Sequence, residues 1–490
     1  MVSAQKNLPP GARVSILLVH GTLLGAMASS LCGCALHKPP SQMTIVNQAL
    51  PKATPLPPAW SAGPDTANVT DDWVKSFKDD ELDVLVREAI ANNLDLRQSA
   101  AQVEEARQSV IVVGSKLKPQ IGATIAGATT RSSNAASSDQ YQSNTEYGVI
   151  SWEADVWGRV RSQRAAAQEN YEAVAMDYSF ARQSLAALTA KSWYLAIETR
   201  RLLALAQQSV DIYTQLLDLV KVRRAAGKVA DLDVAEASYE LNEAQNQLIV
   251  MQGLYSQARR SLEVLVGRYP SAELKVAEEY APLPPPVAPG LPSSLLERRP
   301  DIVAAEHQVM SAFRTHEAAK LALLPSFSFD LEGGRLSDRL LSVLGLNPWL
   351  MHSVVGMFVP IYEGGALQAQ IKIATGLEDQ AVAHFGGVAL NAFDEVEVAL
   401  TNERLLAEQV PHSENAVLDH TEAVRVAELR YRAGSMDLLS VLQLQEGQIQ
   451  SQANLIKLRN SQLANRINLH LALGGSFDSS PAVAMTATKP

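Results

Sequence analysis

The sequence predicts a duplicated, mainly α-helical protein that also contains four β-strands, and three observations point to this class. The second half repeats the first at a separation of about 206 residues, with one residue of slip, which indicates one structural unit built twice. Residues 159–226 contain neither Gly nor Pro, as expected of a single long helix. Aromatic residues make up only 6% of the chain, which is typical of packed helices. Aligned pairs include Asp95 with Asp301, Val103 with Val309, Pro119 with Pro325 and Gly227 with Gly434.

Composition and motif content argue against several classes of function. A formal net charge of -10 disfavours a nucleic-acid partner, because affinity for phosphate backbones comes from clustered Lys and Arg. The chain has no phosphate-binding loop, dinucleotide-binding glycine motif or nucleophile elbow. We therefore predict no enzyme activity and no cofactor. His307 and His316 are expected to be solvated rather than metal-binding, and the acidic cluster Asp394, Glu395 and Glu397 is expected to form a hydrated or salt-bridged helix face.

The N-terminus has the features of a lipoprotein signal peptide, residues 1–33. Its end, residues 31–34, matches a lipobox, and Cys34 is the predicted lipidation site because a small Gly precedes it. Cys32 lacks that small preceding residue. A metal clamp or disulfide between the two cysteines is disfavoured, since both lie at the edge of a cleaved segment. Ala35 follows, which resembles the outer-membrane address of such lipoproteins.

The remaining chain divides into segments of different composition. Residues 34–72 are Pro-rich and polar, so we expect a lipidated, extended N-terminal arm. Two repeats, 73–281 and 293–474, flank a Pro-rich linker at 282–292, for which a stiff connector is favoured over a ligand for a Pro-recognising domain. Residues 475–490 form a C-terminal tail.

Each repeat has the same predicted order of elements. An amphipathic helix comes first and ends near a Pro, two strand-like runs follow, and a very long helix then begins at Arg159 in the first repeat. At about 1.5 Å per residue that helix is roughly 100 Å long. Gly227 marks a tight turn, and another helix runs back through Val266. The strand-like runs are residues 120–131, 143–155, 325–334 and 350–362.

Apolar residues recur along these helices at the spacing of a packed face. In the second repeat, however, Gly and Pro occur inside the long helix, so we expect that helix to be kinked or segmented. The residues at helical spacing are Leu82, Leu85, Val86 and Ala89 in the first helix, and Leu195, Leu202, Leu205, Val210, Leu216, Leu217 and Val220 in the long one. The interrupting residues are Gly376, Gly386, Gly387 and Pro411.

One strand alternates cleanly between an apolar and a polar face. Residues 327, 329 and 331 are apolar and residues 326, 328 and 330 are polar, which is the pattern of a strand with two different faces. We expect Phe327, Phe329 and Leu331 to face lipid and Ser326, Ser328 and Asp330 to face a lumen. Four strands of about ten residues can span a membrane but cannot close a barrel, and open edges are prohibitive in lipid. The protein must therefore oligomerise if these strands span a membrane.

Several motifs together resemble one known family. They are Trp73–Leu82, Asn93–Leu96, Ser151–Arg159, Arg298–Ile302, Pro360–Gly365 and Tyr431–Gly434. In order and spacing these motifs resemble the outer-membrane efflux lipoproteins of the TolC superfamily, NodT/OprM branch. The resemblance covers nearly the whole chain after the signal peptide.

The resemblance implies a homotrimer in which three protomers form a 12-stranded outer-membrane β-barrel, continued by an α-helical coiled-coil barrel into the periplasm. Such proteins are passive exit ducts of tripartite efflux pumps, RND-type among them, which export drugs and other toxic small molecules. Their partners are a periplasmic adaptor protein, an inner-membrane transporter reached through that adaptor, and outer-membrane lipid. The resemblance implies no cofactor beyond the covalent lipid on Cys34.

The resemblance also implies functional roles for the two turns between long helices. The predicted adaptor-docking residues are Gly227, Lys228, Val229, Gly434, Ser435 and Met436, and the predicted periplasmic gate residues are Asp231, Asp233, Tyr431, Asp437 and Leu442. Leu442 is expected to be an apolar plug. Ser440 and Gln443 stand where related channels often carry Asp, so the acidic character of the gate is expected to come mainly from Asp231 and Asp233.

Two alternatives remain open at the level of sequence. A structural periplasmic lipoprotein without a pore would use the same lipid anchor and helices, although the paired strand-like runs in both repeats argue against it. An exit duct for protein secretion is the other possibility. The sequence does not specify the exported substrate.

Overall fold

The computed structural model describes residues 36–50, 57–62, 71–134, 137–337 and 350–477. The signal peptide, Cys34 and most of the C-terminal tail lie outside these ranges. The helices are α1 Gln42–Ala49, α2 Trp73–Ser76, α3 Asp80–Asn92, α4 Leu94–Ser115, α5 Arg159–Ala225, α6 Asp231–Leu265, α7 Pro292–Arg298, α8 Pro300–Leu321, α9 Ala366–Ala433 and α10 Leu438–Ala472. The strands are β1 Gln120–Asn134, β2 Ser137–Ala154, β3 Ser326–Ser337 and β4 Leu350–Phe358.

The element boundaries confirm the internal duplication. Helices α4 and α8 both contain 22 residues and start at Leu94 and Pro300, and α6 and α10 both contain 35 residues and start at Asp231 and Leu438. Each pair therefore keeps the offset expected from the sequence. All four predicted strands are present, with ends that differ by a few residues from those predicted.

The four strands form one antiparallel sheet in the order β1-β2-β3-β4. Its register places Trp152 opposite Phe329 and Phe329 opposite Val355, so these three side chains share a face. On the other face Ser151 lies opposite Asp330, and its hydroxyl donates to that carboxylate at 2.6 Å. The apolar face predicted from β3 thus continues onto β2 and β4, whose own sequences alternate poorly. The polar face continues onto β2, whereas on β4 Val354 lies opposite Asp330.

The described residues fall into two compact units. One comprises residues 36–50, 104–134, 137–173, 305–337 and 350–385 and contains the sheet. The other comprises 57–62, 71–103, 174–304 and 386–477 and is helical, with its main core around Trp73, Phe77, Trp193, Tyr194, Leu262 and Ile467. Among the described residues, no helix is long and apolar enough to cross a membrane.

The first helix of the repeat packs as the spacing predicted. Leu82, Leu85, Val86 and Ala89 are all buried on one face of α3. Asp79 fixes the start of this helix, because its carboxylate accepts from the backbone N–H of Leu82 at 3.0 Å. The same carboxylate accepts from the indole of buried Trp193 in α5 at 2.8 Å. One residue of the α5 stripe, Leu195, is 46% exposed in the protomer, so it does not pack against helices of its own chain.

The N-terminal arm is more structured than its composition predicted. Residues 42–49 form α1, whose Ile45 and Val46 are buried. Further along, Trp60 is 4% exposed and donates to the carbonyl of Pro289 at 3.2 Å. The prediction of an extended arm is therefore wrong for this part, because a few apolar side chains bury the arm against the body even where Pro and polar residues dominate.

Three further expectations are settled by the helical packing. Helix α9 runs unbroken from Ala366 to Ala433 with Pro411 inside it. Of the two predicted outcomes, segmentation is therefore wrong and a kink stays a prediction. The prediction of solvated histidines is also wrong, because His307 pairs with Glu169 at 2.8 Å and His316 with Glu378 at 2.5 Å. The acidic cluster is paired as expected, with Glu395 bound to Arg299 at 2.6 Å. Its Glu397 accepts from the backbone N–H and hydroxyl of Ser61 at 2.8 and 2.7 Å.

Candidate functional site at the helix turns

The two turns between long helices have the same backbone geometry. Both glycines have a positive φ, +70° at Gly227 and +78° at Gly434, a conformation that side chains with a Cβ rarely adopt. In the first turn Lys228 donates to the carbonyl of Arg223 at 2.9 Å, and in the second Ser435 donates to that of Arg430 at 2.9 Å. These are Schellman helix ends, so the duplication extends to individual hydrogen bonds.

An apolar core lies beneath the turns and joins four helices of one protomer. It contains Tyr213, Leu216, Leu217 and Val220 of α5, Ala237 and Ala244 of α6, Ala427 and Tyr431 of α9, and Leu438, Val441 and Leu442 of α10. Val229 and Met436, one in each turn, pack against this core as half-buried residues. Gly227, Lys228, Gly434 and Ser435 are exposed at the surface of the turns.

The three predicted acidic residues are each engaged locally. Asp231 pairs with Arg224, which holds the pKa of that carboxyl below its usual value. Asp233 accepts from the backbone N–H of Ala230 at 2.8 Å. Asp437 caps α10 by accepting from the backbone and hydroxyl of Ser440 at 2.8 and 2.9 Å, and the backbone hydrogen bond lowers its pKa.

The two remaining gate residues are buried inside the protomer. Leu442 is 6% exposed and belongs to the apolar core, which argues against the predicted role of its side chain as a luminal plug. Tyr431 is 2% exposed, and burial raises the pKa of its hydroxyl while the charge of Arg223 opposes the shift. The sequence placed Tyr431 at the gate by resemblance but offered no sign that Arg223 contacts it.

A cavity of about 330 Å³ lies beside this core and was not foreseen from the sequence. Tyr213, Glu240 and Glu446 line it. Burial raises the pKa of Glu240, with a further contribution from the nearby charge of Glu446, and burial raises the pKa of Tyr213 to about 12. In the described part of the chain no cluster of three or more His, Cys, Asp or Glu side chains is arranged to hold a metal ion.

Comparison with known proteins defines the class to which this fold and these turns belong. The family model described as outer membrane efflux protein matches residues 85–268 and 291–475. A toluene efflux pump outer membrane protein of Pseudomonas putida, TtgC, is 30% identical over 93% of this chain and 95% of its own. The cation efflux system protein CusC of Escherichia coli is 26% identical over 83% and 88%.

A solved structure shares the fold. The crystal structure of a membrane protein from Pseudomonas aeruginosa superposes with a TM-score of 0.80 at 27% identity, covering 91% of this chain and 99% of that one. The chain therefore belongs to the outer membrane efflux protein family. The predicted fold class is confirmed as that of the trimeric outer-membrane efflux channels with a helical barrel and an internal repeat. The protein acts in the outer membrane as an exit duct of a tripartite efflux system and extends into the periplasm.

Proposed function

We propose that this chain is the passive duct of an RND-type pump that exports small toxic molecules, with a lipid on Cys34 as a second membrane attachment. Membership of the outer membrane efflux protein family carries the proposal. The relatives named for toluene and cation efflux support small cargo rather than protein secretion. A passive duct needs neither enzyme activity nor a cofactor, because an inner-membrane transporter supplies the energy.

The two exposed turns are the proposed docking surface for a periplasmic adaptor. Each turn has exposed residues that a partner can contact. A half-buried apolar residue of the turn packs against the apolar core below and so holds the turn in place. The proposed docking residues are Gly227, Lys228, Val229, Gly434, Ser435 and Met436. A surface held in this way can bind a partner without first paying the entropy of ordering a loop.

The proposed gate lies just inside these turns and consists of Asp231, Asp233, Asp437 and Tyr431. Because Arg224 neutralises Asp231, the unbalanced negative charge of the gate comes from Asp233 and Asp437. Three copies of each carboxylate around a narrow axis attract cations and disfavour anions. We leave Leu442 out of the proposed gate because its side chain lies in the apolar core, and keep Tyr431, which is also buried, because Arg223 contacts it.

Single-channel recording of the purified protein in planar lipid bilayers tests this function. The wild-type trimer should form channels of low conductance that favour cations over anions, and Asp233→Ala should reduce that preference. Asp211→Ala is the matched control, since it removes an exposed carboxylate of α5 away from the turns. A wild-type protein that forms no channels would contradict the duct, and unchanged selectivity in Asp233→Ala would place the gate elsewhere.

A further inference from the structure

Arg223, near the end of α5, contacts the end of α9 and so joins the two helical hairpins of one protomer. Its guanidinium carbon lies 4.4 Å from the centroid of the Tyr431 ring. The same group donates a hydrogen bond to the main-chain carbonyl of Tyr431. A cation over an aromatic face is attracted by the ring quadrupole, and a basic side chain near a helix C-terminus can donate to the last carbonyls of the helix. One side chain thus holds both the ring and the backbone of the opposite helix end.

The carbonyl that Arg223 contacts is part of the second turn itself. Gly434 donates to this carbonyl of Tyr431 at 2.9 Å as one of the two hydrogen bonds of the Schellman helix end. Arg223 also supplies, from its own backbone, the carbonyl of the first turn that accepts from Lys228. The residue is therefore built into one turn through its backbone and into the other through its side chain.

The contact between Arg223 and Tyr431 leaves two polar atoms without a hydrogen bond. Within the described residues, the Nε of Arg223 and the hydroxyl of Tyr431 are buried and have no hydrogen-bond partner. Each such group is unfavourable relative to a solvated or paired one. The aromatic ring and the carbonyl hold the arginine, while the hydroxyl contributes nothing here. The contact holds the ends of α5 and α9 together, and because it leaves these two polar atoms unpaired, it can also be broken.

The internal repeat shows that this contact has no counterpart in the first half. The offset that aligns Gly227 with Gly434 places Arg223 opposite Arg430 and Arg224 opposite Tyr431. The first repeat thus has an arginine where the second has the aromatic ring. Arg224 instead pairs with Asp231 inside its own turn. Two adjacent arginines therefore act differently, one within a hairpin and one between hairpins.

We propose that Arg223 is a positioning residue of the gate, which clasps the α9–α10 turn to the α5–α6 turn and holds the two hairpins together in the closed state. This inference rests on the proposed duct function. The hairpins of a protomer separate at their tips only when the guanidinium leaves the Tyr431 ring and carbonyl. Opening by relative movement of the hairpins is therefore opposed by this contact in each of the three protomers.

The matched pair Arg223→Ala and Arg224→Ala tests the clasp in the full-length trimer. Hydrogen exchange of the backbone amides is measured by mass spectrometry in detergent. Arg223→Ala should speed exchange of the amides at 434–437 by about tenfold, because the cation–π contact and the carbonyl hydrogen bond are lost together. Arg224→Ala should speed exchange only at 226–231. Equal protection of 434–437 in wild type and Arg223→Ala would overturn the clasp.

Substitutions of the ring separate the clasp from a general structural role. Tyr431→Phe keeps the aromatic face and should leave exchange at 434–437 at the wild-type rate, whereas Tyr431→Leu should match Arg223→Ala. Arg223→Lys, which retains the charge and one donor, should lie between wild type and Arg223→Ala and serves if the alanine variant fails to assemble. If Tyr431→Phe loosens the second turn as much as Tyr431→Leu, the ring does not hold the arginine and the proposal is wrong.

Conductance distinguishes failure of the clasp from failure of the duct. Arg223→Ala channels should spend about tenfold more time in a high-conductance state than wild type, at unchanged trimer yield and melting temperature. Asp211→Ala channels, altered away from the turns, should not. Faster exchange in Arg223→Ala together with wild-type conductance would overturn the gating role. A wild-type trimer that forms no channels would instead contradict the proposed duct, whatever the exchange data show.

Discussion

At the scale of single residues, buried charges in the helical unit are held largely by backbone groups. Arg466 is 1% exposed, donates to the carbonyls of residues 284 and 285, and pairs with Glu403. Glu263 is 2% exposed and accepts from the backbone N–H groups of residues 272–274 at 2.7–2.9 Å. Each side chain thereby fixes an irregular segment that has no secondary structure of its own.

The buried imidazole of His470 should make stability depend on pH. It is 3% exposed and its ring stacks on Trp73 with centroids 5.7 Å apart. Burial, and then the charge of Arg466, lowers its pKa from 6.5 to about 4. The unfolded chain therefore binds more protons than the folded one between these pH values. The contribution of His470 to the free energy of unfolding is complete above pH 6.5 and is lost by about 1.4 kcal/mol per pH unit as the pH falls towards 4.

Melting temperatures of the solubilised trimer between pH 4 and 7.5 check this pH dependence. His470→Gln should flatten the slope below pH 6.5 because it removes the titrating group. His412→Gln, at an exposed position of α9, is the control and should keep the wild-type slope. The assignment to His470 fails if its variant and wild type lose stability in parallel.

At the scale of elements, tertiary packing overrides local helix propensity. A Pro in a helix interior costs about 3 kcal/mol and a Gly about 1 kcal/mol, yet α9 continues through Gly376, Gly387 and Pro411. Its buried face supplies the compensation, with Phe385, Ala389, Ala392 and Val396 all fully buried. Helix propensity therefore identifies the residues that disfavour α9 but does not show that the helix continues through them.

Two helical glycines should respond in opposite ways to alanine. A Cβ added at Gly387 of α9 meets no atom within 4 Å, so Gly387→Ala should stabilise the protein by about 1 kcal/mol. At Gly447 of α10 the same Cβ would lie 2.8 Å from Cε1 of His420, and displacing the imidazole should cancel or reverse that gain. Thermal melting of the two variants decides this, and equal shifts would show that the contact with His420 is easily relieved.

At the scale of the whole molecule, the sheet explains why a protomer needs its copies. Among the residues that the structure describes, its two edge strands, β1 and β4, each pair with one strand, and open edges cannot be solvated in lipid. The apolar face includes residues that are strongly exposed in the protomer, Ile121 at 80%, Val355 at 75% and Met357 at 64%. This agrees with a face built to meet an apolar environment.

The assignment of that face to lipid is testable with neighbouring substitutions. Phe329→Arg should cost about 2–4 kcal/mol near the bilayer midplane, whereas Ser328→Arg on the polar face should be tolerated. The measurement is the yield of assembled trimer in outer-membrane fractions. Similar yields for the two variants would mean that the apolar face does not meet lipid.

The sequence by itself determined the features that depend on local pattern. The offset between repeats, the glycines that end α5 and α9, the buried face of α3 and the two faces of β3 all follow from spacing along one segment. That one chain has too few strands to close a barrel also follows from the sequence. These features predicted the fold class and, through the motifs, the family.

Only the tertiary structure decided which distant residues meet. Arg223 and Tyr431 come from different repeats, as do Glu169 and His307, and no periodicity reports such pairs. Arg466 and the carbonyls of residues 284 and 285 are a third example. The burial of Leu442 and the continuity of α9 also depend on neighbouring helices. The physical reason is that periodicity records which face of an element is apolar, whereas the partner of each polar side chain depends on how separately formed helices dock.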